Sequence, residues 1–345
     1  MKYILLTATM FIALSTFSQS KWDQTPYETK SFANQSISKV KSSTSGGNIF
    51  VTGVAASEAR VEIFVRASNS KNELSKEDLA ANLKEHYDLD VSVSGSTLKA
   101  VAKNKTRNLD WKKSLSISFK IYVPKDISSE VTTSGGNIKM SNLSGTQDFT
   151  TSGGNLDIND LKGKIVGTTS GGNIHVVNAS NDINLTTSGG NIVAENCTGK
   201  VGLSTSGGSV TVSKSGGDVD ATTSGGNVNA DNINGDLAAH TSGGNVRLQE
   251  MSCNIEASTS GGNIDISVKQ YSKFIKATNS SGSITLNLPQ GTGLDLNLRG
   301  DRVKSGDLKT FVGKLKEDEI NGKLNGGGVL ISADAGSGNV NLKWR

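Results

Sequence analysis

Apolar and polar residues alternate in short runs from Val131 to Ala277, and the alternation recurs every 18 residues. A tetrad Ser-Gly-Gly-Asn, or a close variant, starts at Ser134, Ser152, Ser170, Ser188, Ser206, Ser224, Ser242 and Ser260. Two residues past each second glycine stands a branched aliphatic: Ile138, Leu156, Ile174, Ile192, Val210, Val228, Val246 and Ile264. A further apolar residue follows two positions on (Met140, Ile158, Val176, Ala194, Val212, Ala230, Leu248, Ile266), with variable residues between the two columns. A period of two predicts a strand with one buried face.

A second strand is predicted before each tetrad. Its inward columns are Ile165, Ile183, Val201, Val219, Leu237, Ile255 and then Leu185, Leu203, Ala221, Ala239, Ala257. Between the strands runs an apolar corner column (Leu143, Leu161, Ala179, Cys197, Ile233, Met251), followed two residues later by Gly145, Gly163, Gly199, Gly217 and Gly235. Those glycines are expected to supply positive φ at a corner. Two strands and two corners make one coil. The expected fold is therefore all-β, a right-handed parallel β-helix or solenoid of 18-residue coils stacked about 4.8 Å apart. An antiparallel stack of hairpins would not place like residues above one another, and a propeller blade needs about twice this period.

Identical residues in register predict ladders. Asn137, Asn155, Asn173, Asn191, Asn227, Asn245 and Asn263 are expected to donate side-chain amides from coil to coil and to tolerate the turn after the paired glycines. Thr133, Thr151, Thr169, Thr187, Thr205, Thr223, Thr241 and Thr259 form a second expected ladder. Cys197 and Cys253 lie 56 residues apart, three coils plus two residues. Three coils span about 14 Å, beyond the ~7 Å Cα limit of a disulfide, so both are expected to stay unlinked.

The flanks read as caps for the open ends of the stack. Residues 1–20 have the layout of a signal peptide: Lys2, a mostly apolar run from Ile4 to Leu14, then small polar residues. No cysteine stands near the cleavage point for lipid attachment, and no later apolar run suits a transmembrane anchor. Residues 21–131 hold a first coil at Ser45-Gly46-Gly47-Asn48 and a small α+β N-terminal cap. That cap has strands at Val61–Val65, Leu89–Val93, Leu98–Ala102 and Leu115–Val123, and a helix opened by Ser75 and Asp78. The solenoid occupies 132–288. Residues 289–345 form an irregular β C-terminal cap and a last coil at Gly336-Ser337-Gly338-Asn339.

An early tetrad, a strand-and-helix stretch, the run Ile121-Tyr122-Val123-Pro124-Lys125 and then serial Ser-Gly-Gly-Asn coils resemble the bacterial putative-adhesin domain family of β-strand repeats. The resemblance spans essentially the whole mature chain. It implies a surface role and brings no catalytic residues.

Composition fits an extended core of small aliphatics: 40 glycines, three prolines, 34% hydrophobic and 5% aromatic residues. A net charge of +4 arises from 36 basic and 32 acidic residues mixed along the chain, which excludes a nucleic-acid partner class. Glycan-active β-helix enzymes need clustered carboxylates and aromatic platforms, whereas residues 132–277 hold only Phe149, Tyr271 and Phe274 as aromatics. The nearest carboxylate cluster is Asp218, Asp220 and Asp236. A cation such as Ca²⁺ between Asp218 and Asp236 would need about six or more oxygens, so solvated carboxylates are the preferred reading. His86, His175 and His240 form no ligand pair, and Arg299-Gly300-Asp301, an RGD tripeptide, reads as turn chemistry. Thr132, Thr150, Thr168, Thr186 and Thr222 form an outward row of the kind that binds ice, interrupted by Ser204, His240 and Ser258. The expected function is an exported, non-enzymatic surface or envelope scaffold, adhesin-like, in the periplasm, at the cell surface or secreted. It has no cofactor, metal or catalytic residue, and its partner is an extracellular or envelope protein or glycan. The alternatives are a glycan-active enzyme and an envelope-maintenance or stress-linked protein.

Overall fold

A computed structural model describes residues 25–68, 74–106 and 113–345; the expected signal segment, 1–20, lies outside the described residues. The described residues are all-β apart from a short 3-10 turn and the helix Lys76–His86, which Ser75 caps by accepting the Asp78 N–H at 3.1 Å. Strands after each tetrad pair in parallel with their counterparts, Ile138 beside Leu156, Leu156 beside Ile174, and so on to Val246 beside Ile264. Strands before each tetrad do the same, from Val131 beside Phe149 to Ala239 beside Ala257. Partners are 18 residues apart throughout these ladders, and the step lengthens to 20 at Ile264–Ile284.

The core is one continuous column. Every member of the inward and corner columns named above is less than 5% exposed. Bulk is balanced between neighbouring coils: a Cβ on Gly167 would fall 2.5 Å from the Phe149 ring, so the glycine makes room for the aromatic. Ser215 fills the corner column where the other coils carry apolar residues. It is 2% exposed, donating to the Ser213 carbonyl at 2.9 Å and accepting the Cys197 N–H at 3.1 Å.

The ladders differ in mechanism from the expected ones. The tetrad Asn residues mainly accept: Asn137 Oδ1 takes the Asn155 N–H at 2.8 Å, and the same bond recurs at Asn155–Asn173, Asn173–Asn191, Asn227–Asn245 and Asn245–Asn263. Asn245 also donates its side-chain amide to Asn227 Oδ1 at 3.4 Å, as expected. Positive φ is found at the expected corner glycines, 97–123° at Gly145, Gly163, Gly199, Gly217 and Gly235. It is also found just before the apolar corner column, at Asn142, Asp160, Asn178, Asn196, Lys214, Asn232 and Glu250, with φ of 53–58° except at Lys214 (49°). At those corners Asn178 and Asn196 do donate amides down the stack, to Asp160 at 2.9 Å and Asn178 at 2.7 Å. The buried Thr column bonds backbone rather than itself. Thr187 Oγ1 donates to the Gly172 carbonyl of the preceding coil at 2.8 Å and accepts the Gly190 N–H of its own tetrad at 3.3 Å. Asn279 takes over this role at the end of the series, donating to Gly262 O at 2.7 Å.

The second glycine of each tetrad is fixed by packing. A Cβ on Gly154, Gly172, Gly190, Gly226, Gly244 or Gly262 would fall 1.9–2.1 Å from the carbonyl oxygen of the glycine one coil earlier. The first glycine faces open space or ordinary contacts beyond 3.4 Å.

Both ends share one construction. The first coil, Lys39–Thr44 and Ile49–Val54, stacks in parallel on Ser128–Thr133 and the start of Ile138–Thr151. Its other side carries Thr97–Asn104 and Leu115–Pro124, from the sequence between those coils. The ladder then turns antiparallel through Tyr87–Ser94 and Arg60–Ala67. At the C-terminal end the last coil, Val329–Asp334 and Asn339–Trp344, stacks on Phe274–Asn279 and Ile284–Leu288. It is covered by the earlier strands Leu294–Arg299 and Arg302–Ser305, and these lead into the antiparallel strands Glu319–Leu324 and Val312–Leu315. Each end coil is thus held on both sides.

Candidate functional site

The coil scaffold turns every second strand residue outward in columns at fixed spacing, so function rests on the identities along those columns. One column runs Lys164, Asp182, Lys200, Asp218, Asp236, Asn254 in register. Asp218 therefore lies between Lys200 and Asp236, and Asp236 accepts the side-chain amide of Asn254. A lysine and an amide flank the like-charged pair. Asp220, two residues on, accepts from Thr222 Oγ1 at 2.8 Å. Among the described residues no group of three His, Cys, Asp or Glu converges to hold a metal.

The next outward column, Val166, Asn184, Gly202, Asp220, Ala238, Glu256, contains a gap. Gly202 has no side chain, and its Cβ direction meets nothing nearer than 3.7 Å. The result is a shallow notch of about 400 Å³ across three coils, floored by Gly202 and edged by Asp182, Asn184, Lys200, Ser204, Asp220 and Thr222. It offers carboxylates, an ammonium, an amide and hydroxyls on a rigid sheet. Sequence reading missed it; the signal available was a lone glycine at an outward strand position.

The remaining candidates are separated. Thr132, Thr150, Thr168, Thr186, Ser204, Thr222, His240 and Ser258 stack in a single row beside the notch, where His240 Nδ1 meets Ser258 Oγ at 2.7 Å. His175 sits 3.7 Å from Asp157 on the opposite strand series, and His86 ends the cap helix. The RGD tripeptide is the corner between the strands Leu294–Arg299 and Arg302–Ser305 that cover the last coil. Gly300 is buried and donates to Asp318 O at 3.1 Å, while Asp301 N–H donates to Gly338 O at 2.8 Å. A Cβ on Gly300 would fall 2.6 Å from Gly338 O, so this glycine continues the stacked tetrad column. Cys197 and Cys253 are both buried with free thiols. Burial raises the Cys197 thiol pKa, and burial together with the nearby Asp236 pushes Cys253 up to about 12.

No helix among the described residues is long and apolar enough to cross a membrane. No curated protein matches the chain. Two solved structures align over 92% of it: a putative cell adhesion protein from Clostridium sporogenes, at 10% identity over 98% of that chain with a TM-score of 0.21, and a putative adhesin from Bacteroides fragilis, at 15% identity over 96% of that chain with a TM-score of 0.25. The family model described as Toastrack DUF4097 matches residues 60–343, most of the length over which the coils and their caps have been traced, and the chain belongs to that family.

Proposed function

We propose that this protein is an exported, non-enzymatic scaffold of the bacterial surface or envelope. In this reading it binds an extracellular protein or glycan in an adhesin-like manner through the outward sheet face around Gly202. The notch carries the proposal: it gathers Asp182, Lys200 and Asp220 with hydroxyl and amide partners. Export is supported by the Lys2–Ser20 layout. The residues lining the notch include no aromatic platform, and the His240–Ser258 contact lies outside that lining, which supports binding over turnover.

Filling the notch tests the reading. Gly202→Gln projects an amide side chain from the outward face, with its Cβ in ordinary contact no nearer than 3.7 Å. A glycan array and a surface-protein panel, probed with wild-type and variant mature protein, should give binding that the variant loses at least about tenfold at unchanged melting temperature. Release of new reducing ends from a bound glycan would establish an enzyme instead. Binding indifferent to Gly202→Gln would remove this face from consideration.

A further inference from the structure

We propose that the C-terminal edge strand Val312–Leu315 is a self-association surface that pairs antiparallel with the same strand of a second copy. Among the described residues this strand pairs only with Glu319–Leu324, so one hydrogen-bonding edge is open. All four residues are exposed, including Val312 at 77% and Leu315 at 58%. Solvated edges are usually guarded by a projecting charge. Here Lys314 is the one charge on the strand, and it is tied back across the hairpin to Glu319.

The backbone phase selects a register. Lys316 N–H donates to Glu319 O at 2.8 Å, and hydrogen-bonded pairs alternate along an antiparallel ladder. Val312 and Lys314 therefore direct their backbone groups into the hairpin, whereas Gly313 and Leu315 direct theirs outward. Two copies related by a two-fold axis normal to the sheet pair Gly313 with Gly313 and set the Leu315 N–H against the Phe311 carbonyl of the other copy. The Phe311 N–H already donates to Leu308 O at 3.1 Å, so each outer pair carries one bond. Phe311 of each copy then lies opposite Leu315 of the other on the core-side face. The bare Gly313 at the centre leaves room for the Phe311 ring, which already lies over Gly313 and Gly322. On the other face Val312 meets the aliphatic stem of Lys314. The neighbouring register sets Lys314 against Lys314, and like charges directly opposite are disfavoured. A four-residue strand buries little area, so the contact belongs to the weak class that forms when copies are crowded on a surface.

Sedimentation equilibrium of the mature chain over a rising concentration series should show a monomer–dimer equilibrium. Leu315→Lys should weaken it at least about tenfold at an unchanged melting temperature. Val312→Cys and Lys314→Cys proteins, oxidised together, should give a disulfide-linked dimer, and each alone should not. A chain that stays monomeric to the highest attainable concentration, dimerisation indifferent to Leu315→Lys, or Lys314→Cys linking to itself would each overturn the proposal. This surface is far from the notch, so its failure leaves the binding proposal standing.

Discussion

The paired glycines of one tetrad should respond to the same substitution in opposite directions. A Cβ on Gly190 would fall 2.0 Å from Gly172 O, 2.5 Å from Gly172 C and 2.8 Å from Asn173 N, all backbone atoms of the coil beneath. Reaching even 3.0 Å requires the turn to lift by about 1.0 Å (3.0 − 2.0), against the Gly189 N–H to Ser170 O and Asn191 N–H to Asn173 Oδ1 bonds of 2.9 and 2.8 Å. Overpacking of this kind costs about 1–3 kcal/mol. Stretching both bonds of the buried Thr187 hydroxyl adds about 1 kcal/mol each. Against this, Ala stiffens the unfolded chain by about 0.4–1 kcal/mol. The net for Gly190→Ala is a loss of about 2–4.6 kcal/mol. Gly189 has its nearest neighbour at 3.6 Å and no left-handed φ, so only the unfolded-chain effect remains and Gly189→Ala should stabilise by about 0.4–1 kcal/mol. Urea denaturation followed by circular dichroism, with hydrogen exchange to localise the change, measures both. Equal effects at the two positions would show that the second glycine is not held against the coil below.

Thr187→Val should cost about 2 kcal/mol, because Gly172 O and Gly190 N–H lose a buried partner, while Thr187→Ser should cost under about 1 kcal/mol; denaturant midpoints decide. Neither thiol should react with a disulfide reagent near neutral pH in the folded protein, and both should react in denaturant, since burial keeps Cys197 and Cys253 protonated; labelling followed by mass spectrometry checks this. The hydrogen bond from Lys41, aided by the charges of Lys41 and Lys39, holds Glu130 below the ordinary carboxylate pKa. Its stabilising contribution is therefore present above the unfolded pKa and fades as pH falls through the lower folded value; carboxyl NMR titration should show Lys41→Ala moving Glu130 upward.

The coil was legible because strand alternation and an exact repeat are local signals, and Ile138, Ile165 and Leu185 need only a buried side to be assigned inward. Ladder chemistry was less so. Asn137 and Asn142 are the same residue type five positions apart, and only backbone geometry separates an acceptor of the next N–H from a left-handed corner residue. The sandwiching of each end coil could not be read because its partners are far off in sequence: Ile49 pairs with both Phe119 and Ile138. The Gly202 notch was hidden for a related reason, being defined by side chains from three coils around a residue that has none. Arg299-Gly300-Asp301 drew attention as a motif, whereas its glycine continues the packing column begun by the tetrads.

The stack itself is tested most directly by removing coils whole or in half. Deleting the 18 residues Thr186–Leu203 joins Leu185 to Ser204, the residue that pairs with Thr186, so every inward column and both hydrogen-bonding series stay aligned. Deleting the nine residues Thr186–Ala194 joins Leu185 to Glu195, which sets corner residues against strands and strips the tetrad Asn and Thr of their partners. By circular dichroism and limited proteolysis the whole-coil deletion should remain folded and slightly less stable, because each coil contacts only its neighbours. The half-coil deletion should be insoluble or rapidly cleaved. Equal folding of the two variants would contradict the 18-residue coil.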